Sequence, residues 1–423
     1  MNFFSRFRSQ KIKAYIKKPI LAFGSSSAAA QLLSMIYMLI LARYLGPDRY
    51  GIYITPFTIC NLTSIMFNLG LDTWLLRSDT DKIPILNTTG RVLRLKIILG
   101  AIWGFLLLIF APSLRPDLYP LLLLLIIIID VWADSLLHTL LAALNVTRKI
   151  RHYSIMLLFA RGIRLPMLLA LILINVKDVT LIAGVRTILT FVSMIIALRL
   201  VKPTKRALAP QEGFEILKAA QPFAFSEILS IIYMQVDTTL LSLIKTKTSA
   251  GIYSPVSNLI NALFIIPSSI HLYSLPILSR AYKNNNHQNY IRITSKLFFG
   301  LFILGIILTA GIGLLGGRLV VILLGDAYAL AGTLIVILSP LLFMKSMEFG
   351  FVSNIIAMGK QGSRLIPQTI SAFINIVLNI WAIPRFGETG AATAYVISEF
   401  VLFAGYGSVF FFWFKKFRTG KIQ

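Results

Sequence analysis

The sequence predicts an all-α polytopic membrane protein of about twelve transmembrane helices, built as two six-helix lobes related by a pseudo-two-fold axis along the membrane normal. Three observations carry that expectation: an apolar composition, a series of helix-length apolar runs, and faint repetition between the two halves of the chain. Of the 423 residues 57% are hydrophobic and only 13% charged, and the mean hydropathy is +0.80. A soluble chain of this size carries about a quarter of its residues as charged groups. Inside lipid no water satisfies the peptide groups, so long apolar runs without an alternating pattern must close their own hydrogen bonds as helices.

Runs of roughly 20 apolar residues place the spans at 20–44, 50–76, 95–112, 119–146, 153–175, 179–200, 219–244, 250–278, 297–315, 330–358, 365–383 and 389–414. Charge orders them. The net +25 does not gather into one patch that would suit nucleic acid; with a cytoplasmic N-terminus, 29 of the 41 Lys and Arg fall in cytoplasmic segments and 8 on the opposite side. That asymmetry follows the positive-inside rule and puts both termini in the cytoplasm. The basic segment 1–19 (MNFFSRFRSQKIKAYIKKP) is amphipathic and is expected on the inner membrane surface. No small-residue cleavage site precedes a short apolar core there, so it is not read as a removed signal peptide. The single cysteine, Cys60, excludes an intrachain disulfide and a thiolate metal cluster.

The lobes are expected at 20–200 and 219–414, with a polar cytoplasmic linker at 201–218 containing Pro203, Pro210 and Gly213, and a basic tail at 415–423. Gly51-Ile52-Tyr53 recurs as Gly251-Ile252-Tyr253, and Asp117-Leu118-Tyr119 resembles Asp326-Ala327-Tyr328. Six spans per half keep corresponding elements in the same orientation, which makes the repeats parallel.

The segments LARYLGPDRYGIY (41–53), VVILLGDAYALAGTLIVILSPLLF (320–343) and NIVLNIWAIPRFGETGAATAYVISE (375–399) resemble Wzx-type oligosaccharide flippases, within the superfamily that includes lipid II flippases and multidrug-and-toxin extruders. The resemblance runs in order along essentially the whole chain. It implies two lobes around a central cavity and a polyprenyl-pyrophosphate-linked oligosaccharide moved from the cytoplasmic to the outer leaflet for O-antigen or similar polysaccharide assembly. It further implies a bacterial or archaeal cytoplasmic membrane, a proton or sodium gradient as driving force, and a polysaccharide polymerase and chain-length regulator as partners. No cofactor is expected, and no catalytic residue. An exporter of cationic drugs is an alternative, disfavoured by arginines within the spans. A membrane-embedded polysaccharide polymerase is another, disfavoured by short outer connections and the lack of a nucleotide-binding loop.

Seven ionisable groups lie deep in the expected spans: Asp130, Asp134, Arg161, Arg164, Arg186, Glu227 and Glu399. Lipid exposure of all of them would cost on the order of 20 kcal/mol, above a typical net stability of about 5–15 kcal/mol. They must therefore face protein or a watery cavity. Asp130, Asp134 and His138 share one helix face. Depths estimated at about 1.5 Å per residue pair Asp130 with Arg164 and Asp134 with Arg161, either as structural ion pairs or as a binding stripe. Arg161, Arg164 and Arg186 suit a diphosphate, because a guanidinium fork binds phosphate oxygens bidentately; with Asp130 and Asp134 they form the candidate substrate site. Glu227, His138 and Glu399 are the candidate coupling-ion groups, with Glu227 preferred over Asp237, which is expected near the outer surface. Metal ligation at His138 is disfavoured for want of further ligands. Lys345 and Glu348 are expected to pair, Asn375 and Asn379 to bond between helices, and Arg43 to cap the carbonyl end of its own span beside the Gly46-Pro47 turn.

Overall fold

The computed structural model describes residues 3–77, 84–204, 209–284 and 287–418. Its α-helices run in order α1 (Phe3–Thr63), α2 (Ile65–Asn68), α3 (Leu71–Arg77), α4 (Ile85–Leu114), α5 (Leu121–Val146), α6 (Ile150–Gly162), α7 (Arg164–Leu173), α8 (Val179–Val201), α9 (Pro210–Ile244), α10 (Lys247–Leu263), α11 (Ile265–Lys283), α12 (His287–Leu324), α13 (Ala329–Leu338), α14 (Pro340–Ala357) and α15 (Leu365–Arg418). Nine stretches of the described chain are long and apolar enough to cross a membrane. Two of these, Ser25–Asn68 and Gln361–Phe417, are pairs of spans run together at Gly46 (φ 72°) and Gly387 (φ 58°), where the left-handed backbone that glycine tolerates turns the chain. With α9 at the position of expected span seven, the count is twelve, and the all-α, two-lobe expectation holds.

Prolines explain the breaks inside single spans. Pro166 and Pro267 have no N–H for the carbonyls of Gly162 and Leu263, and the helices part just there, at Ile163 and Phe264. Pro340 likewise opens α14 directly after α13 ends.

Contacts divide the chain into two compact units that do not coincide with its halves. The first comprises Met1–Tyr37 and Thr63–Ile228, the second Met38–Leu62 and Leu229–Gln423. The segment expected as a linker packs within the first unit as far as it is described (205–208 and the 419–423 end of the basic tail lie outside the described residues). Arg91 pairs with Glu212 at 2.9 Å, and Ile216 and Ala220 join Leu71, Val92 and Leu95 in one apolar cluster. This burial sets α9 against the first unit along its N-terminal half.

Residues 38–62 belong to the second unit because their partners do. Arg43 donates to the carbonyls of Ile322 and Leu323 at 3.0 and 3.1 Å, so it caps the C-terminal end of α12 and not its own span. Tyr328 donates to the Ala42 carbonyl at 2.9 Å, and Thr248 donates to Asp48 Oδ1 at 2.6 Å. The repeated glycines meet: a Cβ on Gly51 would run into the Lys247 carbonyl, and one on Gly251 into the Pro47 carbonyl. Helices without side chains at such a crossing approach backbone to backbone, which is where membrane helices gain packing energy. Gly251→Ala is therefore expected to lower the thermal midpoint of the purified protein and its membrane level, by an overpacking cost of about 1–3 kcal/mol. Gly300→Ala, into open space, serves as the neutral comparison.

Candidate functional site

In the first unit α5 is the organising helix. Asp130, Asp134 and His138 stand one turn apart on it, and α8 packs along it. Asp134 accepts two parallel bonds from Arg161, at 2.9 and 3.0 Å, and a third from Arg164 at 3.2 Å. Arg161 also donates to His138 Nε2 at 2.9 Å. Asp130 pairs with Arg186 of α8 at 3.1 Å and accepts from Thr190 Oγ1 at 2.6 Å, and Thr190 in turn accepts from Arg164 at 2.9 Å. The groups thus form one continuous network from His138 to Arg186. The expected Asp134–Arg161 pair is present. The expected Asp130–Arg164 pair is not: the helix break at Ile163 turns Arg164 toward Asp134, while α8 delivers Arg186 to Asp130 at the same depth.

Among the ion pairs of the described residues, three guanidinium groups here face two carboxylates, a surplus of positive charge. It is unevenly accessible. Arg164 and Arg186 are buried, and the cavity beside them is about 10 Å³, room for roughly one water and far too little for a diphosphate. Arg161 is partly buried, and the His138 side chain is 49% exposed. Of the candidate phosphate ligands, only the Arg161 end of the network presents itself to a bulky anion.

A second ionic group in this unit escaped the sequence analysis. Lys96, one of the 29 basic residues assigned to the cytoplasmic side although it falls at the start of the expected span 95–112, is fully buried. Its Nζ donates to Asp72 Oδ2 at 2.8 Å and to Ser135 at 3.0 Å, and Asp72 accepts from Thr139 at 2.6 Å. Ser135 and Thr139 recur four residues apart on α5, a spacing that could have signalled the partner face. Glu227 is half-buried, with Asp72 and Lys96 as its influential charges.

The second unit holds two further clusters. Lys345 pairs with Glu348 at 3.1 Å, as expected, and also with the fully buried Glu399, so Glu399 sits in an ion pair. Asp237, expected toward the outer end of its span, is buried within the protein, at 5% exposed. It accepts from Asn379 Nδ2 at 2.6 Å and from the Tyr253 hydroxyl at 3.3 Å, and no salt bridge to it occurs among the described residues. Asn375 donates to Ser398 at 3.1 Å, so both asparagines bond between helices or helix segments. What hides Asp237 is this polar shell from the N-terminal part of α15 and from α10.

A family model described as "Polysaccharide biosynthesis protein" matches residues 16–282. The chain belongs to that family. It is 30% identical over 196 residues, 45% of its own length and 48% of the other's, to the capsular polysaccharide biosynthesis protein CapF of Staphylococcus aureus, and so spans about half the length of that curated relative. Among solved structures it is similar to an inward-facing multidrug resistance MATE family transporter of the MOP superfamily (TM-score 0.71, 14% identity, 92% of this chain and 96% of that one). It is also similar to the lipid II flippase MurJ in an inward closed conformation (0.70, 16%, 91% and 86%) and to a MOP superfamily transporter from Pyrococcus furiosus (0.65, 13%, 96% and 97%). At these identities the likeness is one of fold. It places this polysaccharide biosynthesis protein in the twelve-helix transporter architecture as a multi-pass membrane protein.

The network predicts which charge swap is tolerated. Asp130→Arg or Arg186→Asp alone leaves buried charge unpaired, at a cost of about 3–5 kcal/mol, and should sharply reduce protein level in the membrane. Asp130→Arg with Arg186→Asp should recover much of that level on quantitative immunoblots, whereas Asp130→Arg with Arg164→Asp should not.

Proposed function

We propose that the protein is a flippase that carries a polyprenyl-pyrophosphate-linked oligosaccharide from the cytoplasmic to the outer leaflet of the cytoplasmic membrane, by alternating access of its lobes. The observation that carries this reading is the excess of three guanidinium groups over two carboxylates among the described residues, ending at Arg161 beside the exposed His138, in a chain of the polysaccharide biosynthesis family. A positive surplus within a membrane helix layer is costly unless a diffusible anion uses it; Arg161 already gives both Nη atoms to Asp134, so a diphosphate would either take the guanidinium hydrogens left over or displace that carboxylate from the fork. A cationic drug would meet repulsion at the same place. The 29-to-8 distribution of basic residues supports cytoplasmic termini, which puts the loading side on the inner leaflet.

Deleting the protein should leave the lipid-linked oligosaccharide on the inner leaflet, inaccessible to an impermeant glycan-labelling reagent in intact cells, with no finished polymer outside. Outer-leaflet units that form but stay unpolymerised would assign polymerisation to this protein instead. Arg161→Ala should reduce flipping about ten- to hundredfold, the range for losing a charge-assisted hydrogen bond.

Coupling to a cation is best served by Asp237. A buried carboxylate held by an amide and a phenol, without a basic partner among the described residues, gains most from binding a proton or sodium ion. Glu399 already has Lys345 as its counter-charge, and Glu227 lies near the Asp72–Lys96 ion pair, whose two charges act on it in opposite senses. Asp237→Asn keeps the hydrogen-bonding shape and should remove the dependence of flipping on an imposed proton or sodium gradient in proteoliposomes. Gradient dependence that survives Asp237→Asn and vanishes in Glu227→Gln would move the role to Glu227.

A further inference from the structure

The second unit contains a cavity of about 270 Å³ whose lining includes Asn261, Phe264, Lys345, Glu348, Arg364 and Gln368. We propose that this cavity is a subsite for one neutral sugar residue of the transported glycan. The proposal rests on the flippase reading and adds a glycan contact in the second unit to the diphosphate contact in the first.

Charge decides the ligand class. Lys345 and Arg364 are the basic groups at the cavity and Glu348 and Glu399 the acidic ones beside them: Lys345 bridges Glu348, at 3.1 Å, and Glu399. Two charges of each sign cancel, so neither a phosphate nor a drug cation finds the net field it needs. A lipid tail is disfavoured by the cost of laying hydrocarbon against Lys345, Glu348 and Arg364, the three ionic residues of the lining.

Hydrogen-bonding capacity narrows the class further. Glu348 is 4% exposed, and with Oε2 committed to Lys345 its Oε1 has no hydrogen-bond partner. Nε of Arg364 is buried and equally unpartnered. Both atoms are enclosed behind the cavity wall, and a small shift of the Glu348 and Arg364 side chains on binding would bring an acceptor and a donor to adjacent sugar hydroxyls, each of which both donates and accepts. Asn261 and Gln368 add amides that can do the same.

The remaining wall is aromatic. Phe264, Phe349, Tyr395 and Tyr406 line the space, and Lys345 and Arg364 lie 6.0 Å and 5.7 Å from the ring centroids of Phe264 and Tyr406. The C–H faces of a pyranose lie well on such rings while its hydroxyls reach the polar groups. A volume near the lower end of the roughly 300–1,000 Å³ range of ligand pockets admits one ring and not a chain.

The test uses full-length protein in nanodiscs and saturation-transfer difference NMR with methyl glycosides of glucose, galactose, N-acetylglucosamine and N-acetylgalactosamine. At least one should give a difference signal, weakened about tenfold or more in Glu348→Gln and in Gln368→Ala and unchanged in Lys177→Ala, whose side chain is exposed in the first unit. If Glu348→Gln does not fold, Gln368→Ala and Phe264→Ala carry the comparison. No signal from any glycoside, a signal indifferent to the cavity variants, or displacement of the glycoside by inorganic pyrophosphate would overturn the proposal. Because these measurements read binding alone, the leaflet assay on the deletion strain decides the flippase reading separately.

Discussion

Most of the buried charge in this structure obeys one constraint: a charged side chain inside a bilayer must be answered by another within reach. Asp130, Asp134, Arg161, Arg164 and Arg186 satisfy it collectively. Thr190 is the joint, accepting from Arg164 and donating to Asp130, so that five charges on four helices behave as one network. Removing any member exposes its neighbours to the full desolvation penalty. The same constraint accounts for Lys96 on Asp72 and for Lys345 held between two glutamates.

The apolar scaffold serves that chemistry by placing helix breaks where they are needed. Pro166 ends α6 so that Arg161 and Arg164 leave different helix segments and converge on one carboxylate. Glycine does the opposite job. At Gly51 and Gly251 it lets two helices touch along their backbones, and the contacts of Arg43, Asp48 and Tyr328 surround that crossing. These anchors explain why the segment 38–62 belongs with the second unit although it interrupts the first in sequence.

Three electrostatic environments result, each with its own chemistry. In the first unit a surplus guanidinium meets an exposed imidazole and suits an anion. Around Asp237 a carboxylate is held by neutral donors and suits a cation. The cavity at Glu348 and Arg364 is balanced in charge and lined by amides and aromatic rings, and on our proposal takes a neutral polyol. On the proposed flippase reading, a lipid-linked oligosaccharide would contain the first and third of these ligands in one molecule, and a coupling ion would supply the second.

Composition and loop charge were enough for the helical class, the twelve spans and the identity of most buried charges, because the cost of placing polar groups in lipid acts on each residue by itself. Pairing on adjacent turns was equally legible: Lys345 with Glu348 is a property of one helix. Partnerships between helices were not. Asp130 found Arg186 because α8 packs along α5, Asp237 was hidden by Asn379 from a segment 142 residues away, and Lys96, assigned to the cytoplasmic side, is buried against Ser135 of α5. Each of these depends on which helices touch and on where proline and glycine bend them, and that is decided only when the whole chain packs.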